Sequence, residues 1–411
     1  MGYPSEAKRI GKSTSVVQLT FALFLTELVR SAFLLSFLPA YAAEQQMTIA
    51  AVGVAISVHY LADTVIKLVA GYALDRFPLR LILNVFLLLG LLGLFLSYGI
   101  IAPWAIIVGA ALLGIGISPI WLLCLSLIRE DQRGSQMGSV YTVWLAALGL
   151  GPVAVNFLID RSYAMTFWLL AGIWIAGWAL AAAKRIPFVQ GSLSAAAVPL
   201  KQQMRDLRRK LSRMKPLVPG MIVQTLAAGL LVPVLPSFAS RYLTLDYSSY
   251  SLVLMGGGLM TVLLLIPMGR LADKRGHQGL LIVGFAALAV SLGLLIYSRQ
   301  FFSTFLLAAC LGTAYAAVLP AWNALMSYFV PADQKATGWG VLSGIEGIGV
   351  ILGPIAGGWM AERFDETVTV AVSALLLLAI ALFYWIHPVR RYAPAYGDGR
   401  DEVEGGSIQH R

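Results

Sequence analysis

The 411-residue sequence is 59% hydrophobic and only 12% charged. Soluble domains carry about 25% charged residues, so this composition excludes an ordinary soluble globule and indicates a polytopic membrane protein. The net charge of +10 does not mark a nucleic-acid binder, because the basic residues fall in alternate short loops, where they orient helices in a bilayer.

The first apolar run follows Lys8, Arg9 and Lys12. It is too long for the core of a cleavable signal and contains a carboxylate, so it is expected to remain as an anchor. Apolar stretches of about 18 residues or more read as spanning helices. Twelve are predicted: 16–39, 48–73, 80–101, 103–127, 136–159, 163–184, 216–240, 249–271, 278–298, 301–328, 336–360 and 367–388. An even number places both termini on one side. If that side is the cytoplasm, 24 of the 30 Lys and Arg lie there and four, Arg161, Arg241, Arg299 and Arg363, lie opposite. The expectation is a multi-pass plasma-membrane protein with both termini cytoplasmic.

Helix 1 contains "FLTELVRSAFLL", with Glu27 and Arg30 near its middle. Each charge at the centre of a spanning helix costs about 2.5–3.5 kcal/mol on insertion scales. Their spacing of three puts them on one helix face. On helix 2, His59, Asp63 and Lys67 step by four and form a second polar stripe. Neighbouring helices 1 and 2 would pair Arg30 with Asp63, and Glu27 with His59 or Lys67. A closed ion-pair network would only fix packing, whereas intramembrane ionisable groups more often face a cavity or a pathway. Lys67 is close enough to the cytoplasmic end to snorkel.

Helices 4 and 5 add Trp121, Tyr141 and Trp144. A flat ring beside charged hydrogen-bonding groups is a common way to hold a sugar, although packing or an interface belt would use the same residues. The linker 185–215 contains "LKQQMRDLRRKLSRMK", whose Leu200, Met204, Leu207, Leu211 and Met214 form one apolar stripe with basic flanks. It reads as an amphipathic helix on anionic lipid, or as a charged linker that only serves orientation. The midplane polar residues of the second half are Gln224, Asn323 and Glu346, among otherwise apolar helices. "GVILGPIAGG" in helix 11 has the look of an exporter motif that belongs in helix 5, and reads here as close packing through small residues. The tail 391–411 is polar and is expected to be disordered. Cys124 and Cys310 lie in apolar runs and read as packing residues, with no metal-ligand spacing and no cofactor motif in the chain.

The two halves echo each other. "FLPAY" at Pro39 matches "VLPSF" at Pro236, and "ALDR" at Asp75 matches "LADKR" at Asp273. "SPIW" ending at Trp121 matches "LPAW" ending at Trp322, "DQRGSQMG" matches "DQKATGWG", and Gly151–Pro152 matches Gly353–Pro354. The offsets run only from 197 to 202. Six helices repeated once give a parallel repeat, so the expected domains are a bundle over 1–184, the linker 185–215 and a bundle over 216–390, with a site at the midplane between them.

"GYALDRFPLR" (71–80) and "GRLADKRGHQ" (269–278) resemble the loop signature of the major facilitator superfamily. The first copy has Pro78 where glycine is usual. The resemblance implies an all-α fold of two parallel six-helix bundles, and gating roles for Asp75, Arg76, Asp273 and Arg275. "FLTELVRSAFLLSFLP", "AISVHYLADTVIKL", "GIGISPIWLLCLS", "EDQRGSQMGSVYTVWL" and "LPAWNALM" resemble the branch of that family that flips the lipoteichoic-acid glycolipid anchor in Gram-positive bacteria. This implies a proton-coupled flippase, not an enzyme, that moves a diglucosyl-diacylglycerol-type lipid between leaflets. The implied headgroup and coupling residues fall on Glu27, Arg30, His59, Asp63, Trp121 and Trp144. Asp75 stands where that branch would have a basic residue, and Glu346 where it would have an uncharged amide. A charged first half facing an apolar second half suits a molecule with a polar head and fatty tails better than a free sugar. A proton-coupled multidrug or lysolipid exporter is the alternative.

Overall fold

The computed structural model describes residues 6–126, 133–183, 217–327 and 335–387. The proposed linker helix at 200–215 and the tail 391–411 lie outside the described residues. Among the described residues there is no strand. With no water in the bilayer core, a spanning segment must satisfy its backbone internally, and the helix does this within one segment.

Among the described residues eleven helices are long and apolar enough to span a membrane, and a bent pair taken as one span makes a twelfth. They are α1 (Glu6–Ala32, continued by a π-helical turn Phe33–Phe37 and by Leu38–Glu44), α2 (Ile49–Arg76), α3 (Leu79–Gly99) and α4 (Pro103–Ser126). Then come α5 (Arg133–Ile159), α6 (Tyr163–Ala182), α7 (Val218–Leu231 with Leu235–Arg241) and α8 (Tyr247–Arg275). The last are α9 (His277–Leu295), α10 (Phe301–Ser327), α11 (Lys335–Arg363) and α12 (Glu366–Ile386). The two pieces of α7 meet at 46°. The repeat explains where α1 and α7 change course. Pro39 and Pro236 both stand in the first turn of the outer piece, where a missing N–H costs least.

Short turns join several of the described helices. Ser162, Asp246 and Asp365 cap α6, α8 and α12 by accepting from the backbone N–H of Met165, Ser249 and Thr367. The two family-signature loops close differently. Gly276 turns the chain between α8 and α9 at φ 91°, a conformation that favours glycine. In the first half, Pro78 begins α3 from φ −56° and ψ 127°, so the departure from the usual glycine is met by an extended residue.

Equivalent helices make equivalent contacts. In the first half Gly114 of α4 lies against the carbonyl of His59 on α2. In the second, Gly312 of α10 lies against the carbonyl of Gly257 on α8. Both pairs are separated by the 198-residue offset read from the sequence. The "GVILGPIAGG" glycines of α11 serve packing, as expected: Gly349, Gly353 and Gly357 meet the backbone of α7 between Ile222 and Leu230.

The halves differ in how their cores fill. The first half has one continuous core that runs from Leu19 through Phe37, Leu87 and Leu113 to Trp174. The second half has two clusters, one around Met221, Trp322 and Tyr384 and another around Phe238, Tyr250 and Val370. A cavity of about 430 Å³ lies between them, lined by residues of both.

At one end the halves are tied together. Ser57 Oγ accepts from the N–H of Ile355 at 3.1 Å, and Ser251 donates to the carbonyl of Val153 at 3.0 Å. Asp160 accepts from the N–H groups of Tyr247 and Ser248 and from the Ser248 hydroxyl. Gly53 of α2 sits against the carbonyl of Pro354, close enough that a side chain there would force α2 and α11 apart. All of these contacts fall toward the end opposite the start of α1 and the end of α12.

Candidate functional site

α1 brings Glu27 and Arg30 to one face, and the two pair with each other. Arg30 Nε donates to Glu27 Oε2 at 2.8 Å, and Arg30 Nη2 bonds the other carboxylate oxygen. The bidentate pair is closed to solvent, with side chains 8% and 3% exposed. The guanidinium also lies over the ring of Tyr60 on α2, 5.8 Å from its centroid.

On α2, Lys67 Nζ donates to Asp63 Oδ2 at 2.6 Å, and Ser118 of α4 donates to Asp63 Oδ1 at 2.8 Å. This pair is more open, with Lys67 34% and Asp63 13% exposed. His59 is fully buried. Its Nδ1 stands 3.0 Å from the carbonyl of Ala110, so Nδ1 carries the proton and Nε2 is the free acceptor nitrogen. Nε2 is buried without a hydrogen-bond partner.

The expected cross-helix pairs, Arg30 with Asp63 and Glu27 with His59 or Lys67, therefore do not form. Each acid takes its cationic partner from its own helix, at spacings of three and four. The two stripes still come together, through Arg30 over Tyr60. The structure makes a sealed inner pair and a partly exposed outer one, rather than two pairs lining one open chamber.

Trp121 and Trp144 meet with ring centroids 5.9 Å apart, tilted by 54°. The side chains of Tyr141, Asp75, Arg76 and Asp273 lie outside the described residues. Arg275 is exposed at the end of α8.

In the second half, Gln224, Asn323 and Glu346 all line the cavity. Gln224 Nε2 donates to Glu346 Oε1 at 3.2 Å, and Trp322 Nε1 donates to the same oxygen at 3.0 Å. From this polar end the cavity runs past Leu231, Leu288 and Leu311 toward Leu243 and Leu295 at the tied end. Sequence reasoning found the polar residues but not the hollow above them. Only the mutual spacing of helices α7 to α12 creates it.

The repeat shows how the halves diverged. On α8 the positions equivalent to His59, Asp63 and Lys67 are Gly257, Thr261 and Leu265, and on α7 the equivalents of Glu27 and Arg30 are Gln224 and Ala227. Thr261 donates to the carbonyls of Gly257 and Gly312, each at 3.0 Å, and so turns its polarity back onto the backbone. The same scaffold carries charge in one half and an apolar hollow in the other.

Spanning helices in two repeated bundles, with charge buried in one and a ligand-sized hollow in the other, have the architecture of a membrane transporter. The family model of the major facilitator superfamily matches residues 19–218 and again 217–405, and the chain belongs to that superfamily. It is 31% identical over 368 residues to the proton-coupled antiporter flippase LtaA of Staphylococcus aureus strain N315, covering 88% of this chain and 92% of that protein. The strain USA300 protein of the same name is 31% identical over 369 residues, with the same coverage. Among solved structures, the nucleoside transporter NupG superposes with a TM-score of 0.71 at 15% identity, covering 90% of this chain and 98% of that one. A D-xylose–proton symporter superposes with a TM-score of 0.67 at 16% identity, covering 94% and 98%. These two establish the fold alone.

Proposed function

We propose that this transporter is a proton-coupled flippase that moves a glycolipid of the diglucosyl-diacylglycerol type, the lipoteichoic acid anchor, from the inner to the outer leaflet of the plasma membrane. The observation that carries the proposal is the asymmetry between halves. Glu27, Arg30, His59, Asp63 and Lys67 belong to the first, whereas a largely apolar cavity belongs to the second. A polar head and fatty chains need those two surroundings together. The similarity to a named proton-coupled antiporter flippase supports the same reading.

With the termini in the cytoplasm, the tied end faces outward and the conformation is the one that receives lipid from the inner leaflet. The sugar head meets the partly exposed Asp63–Lys67 pair and the Trp121–Trp144 rings, while an acyl chain lies in the second-half cavity. Protonation of Asp63 releases Lys67, and protonation of Glu27 releases Arg30. Either event shifts the balance between states only by binding the proton more tightly in one of them. In this reading His59, buried between the two pairs in sequence, tunes the coupling through its own protonation. The gating loops at Asp75, Arg76, Asp273 and Arg275 would lock the cytoplasmic end once the halves rock.

Purified protein in liposomes tests the proposal. Labelled diglucosyl-diacylglycerol should change leaflet faster than in protein-free liposomes, and unlabelled glycolipid should compete while phosphatidylcholine does not. A second reading, a proton-coupled multidrug or lysolipid exporter, is favoured by one feature, the carboxylate of Glu346 on the cavity wall. Efflux of a cationic dye without glycolipid transfer would select that reading.

A further inference from the structure

The headgroup and proton scheme leaves Glu346 unused. It is the acidic residue among the described lining of the cavity, which includes no Lys, Arg or Asp. Among the described residues it has no ion-pair partner. Gln224 on α7 and Trp322 on α10 both donate to Oε1, which fixes the carboxylate from two sides and leaves Oε2 without a described partner. An acid so placed in apolar surroundings is costly unless a donor reaches it. The cavity volume falls in the range of small-molecule sites, about 300–1,000 Å³.

The geometry also sets an orientation. The polar cluster closes one end of the hollow, and Leu243, Leu292 and Leu295 close the other. A chain that fills the hollow brings its head–tail junction to Glu346.

We propose that Glu346 is a ligand-anchoring residue that accepts from a hydroxyl beside the head–tail junction (in a glycolipid, a hydroxyl of the first sugar) of the amphiphile whose chain fills the second-half cavity, and that its charge excludes amphiphiles bearing a phosphate there. The inference rests on the flippase reading for the tail's location and deepens it into a specificity rule. A charge-assisted hydrogen bond supplies attraction to the hydroxyl, and a like charge supplies rejection of the phosphate.

The test is binding to the full chain in phosphatidylcholine nanodiscs. The probes are monolauroylglycerol and lauroyl lysophosphatidate, which share one chain and differ in a hydroxyl against a phosphate. Wild-type protein should bind the first about tenfold more tightly or better. In Glu346→Gln the amide oxygen still accepts from Gln224 and Trp322, but a neutral amide replaces the charged oxygen, and the preference should fall by about tenfold. Glu346→Asp, which keeps the charge, should retain the preference in direction. Equal binding of the two probes by wild type overturns the proposal without needing any variant to fold, as does an unchanged preference in a folded Glu346→Gln. Because binding is read rather than leaflet transfer, the outcomes separate. A protein that discriminates but flips no glycolipid loses the flippase reading alone, and one that flips without discriminating loses this inference alone.

Discussion

Trp322 donates its indole N–H to Glu346 at 3.0 Å, in the position where the first half brings Trp121 against Trp144. The partners are related by offsets of 201 and 202 residues, so equivalent positions on a bundle's fourth and fifth helices meet ring-on-ring in one half and ring-on-carboxylate in the other. The chemical difference between the halves thus lies in the side chains at equivalent sites, not in the fold.

The sealed pair on α1 makes a stability prediction. Removing one partner of a buried ion pair leaves a charge uncompensated and costs about 3–5 kcal/mol, whereas removing both costs far less. Glu27→Gln should therefore lower the unfolding temperature markedly, and Glu27→Gln combined with Arg30→Gln should recover most of the loss. Thermal unfolding in detergent measures this. A single variant as stable as wild type would show that the pair is not closed in the membrane.

Asp63 should behave differently. Ser118 can still donate to the amide oxygen of Asp63→Asn, and Lys67, one-third exposed, can reach water. The stability change is expected to stay within about 1 kcal/mol, while proton-driven transfer is lost. Unfolding and transfer assays on the same preparation separate a folding defect from a coupling defect.

Much of this was legible in the sequence, and the reasons are physical. Hydropathy located twelve helices because lipid demands long apolar runs, and the repeat was readable because Pro39 and Pro236, or Trp121 and Trp322, are landmarks that bundle geometry holds in place. Partners across helices were not readable. Glu27 with Arg30 and Asp63 with Lys67 satisfy each other locally, and a sequence cannot rank that against a neighbouring helix. The hollow under Leu288 and Leu311 left no mark either, since an apolar side chain beside empty space reads the same as one in a packed core.

The tied end should respond to crowding. Gly53→Val drives a side chain into the carbonyl of Pro354, and Asp160→Ala removes the acceptor that holds Tyr247 and Ser248. Both should favour separation at that end. Spin labels at Arg161 and Phe364, with Cys124 and Cys310 replaced by Ala, should report a longer distance in either variant than in the parent. An unchanged distance distribution would mean that these contacts do not hold the halves closed.

Filling the cavity should block lipid without loosening the fold. Leu311→Trp places bulk where the second-half core is hollow, so overpacking strain is small. Transfer of long-chain glycolipid should fall by about tenfold or more while the unfolding temperature holds within a few degrees. Full transfer by a folded variant would remove the acyl chain from this cavity.

The most direct measurement is leaflet transfer of labelled diglucosyl-diacylglycerol in liposomes under an imposed pH gradient, with wild type and Asp63→Asn side by side. Transfer by wild type should rise with the gradient and collapse to the protein-free rate when a protonophore is added, and Asp63→Asn should stay at that rate throughout. Transfer at the protein-free rate by folded wild-type protein, or gradient-driven transfer undiminished in Asp63→Asn, would contradict a proton-coupled glycolipid flippase worked by the charged half.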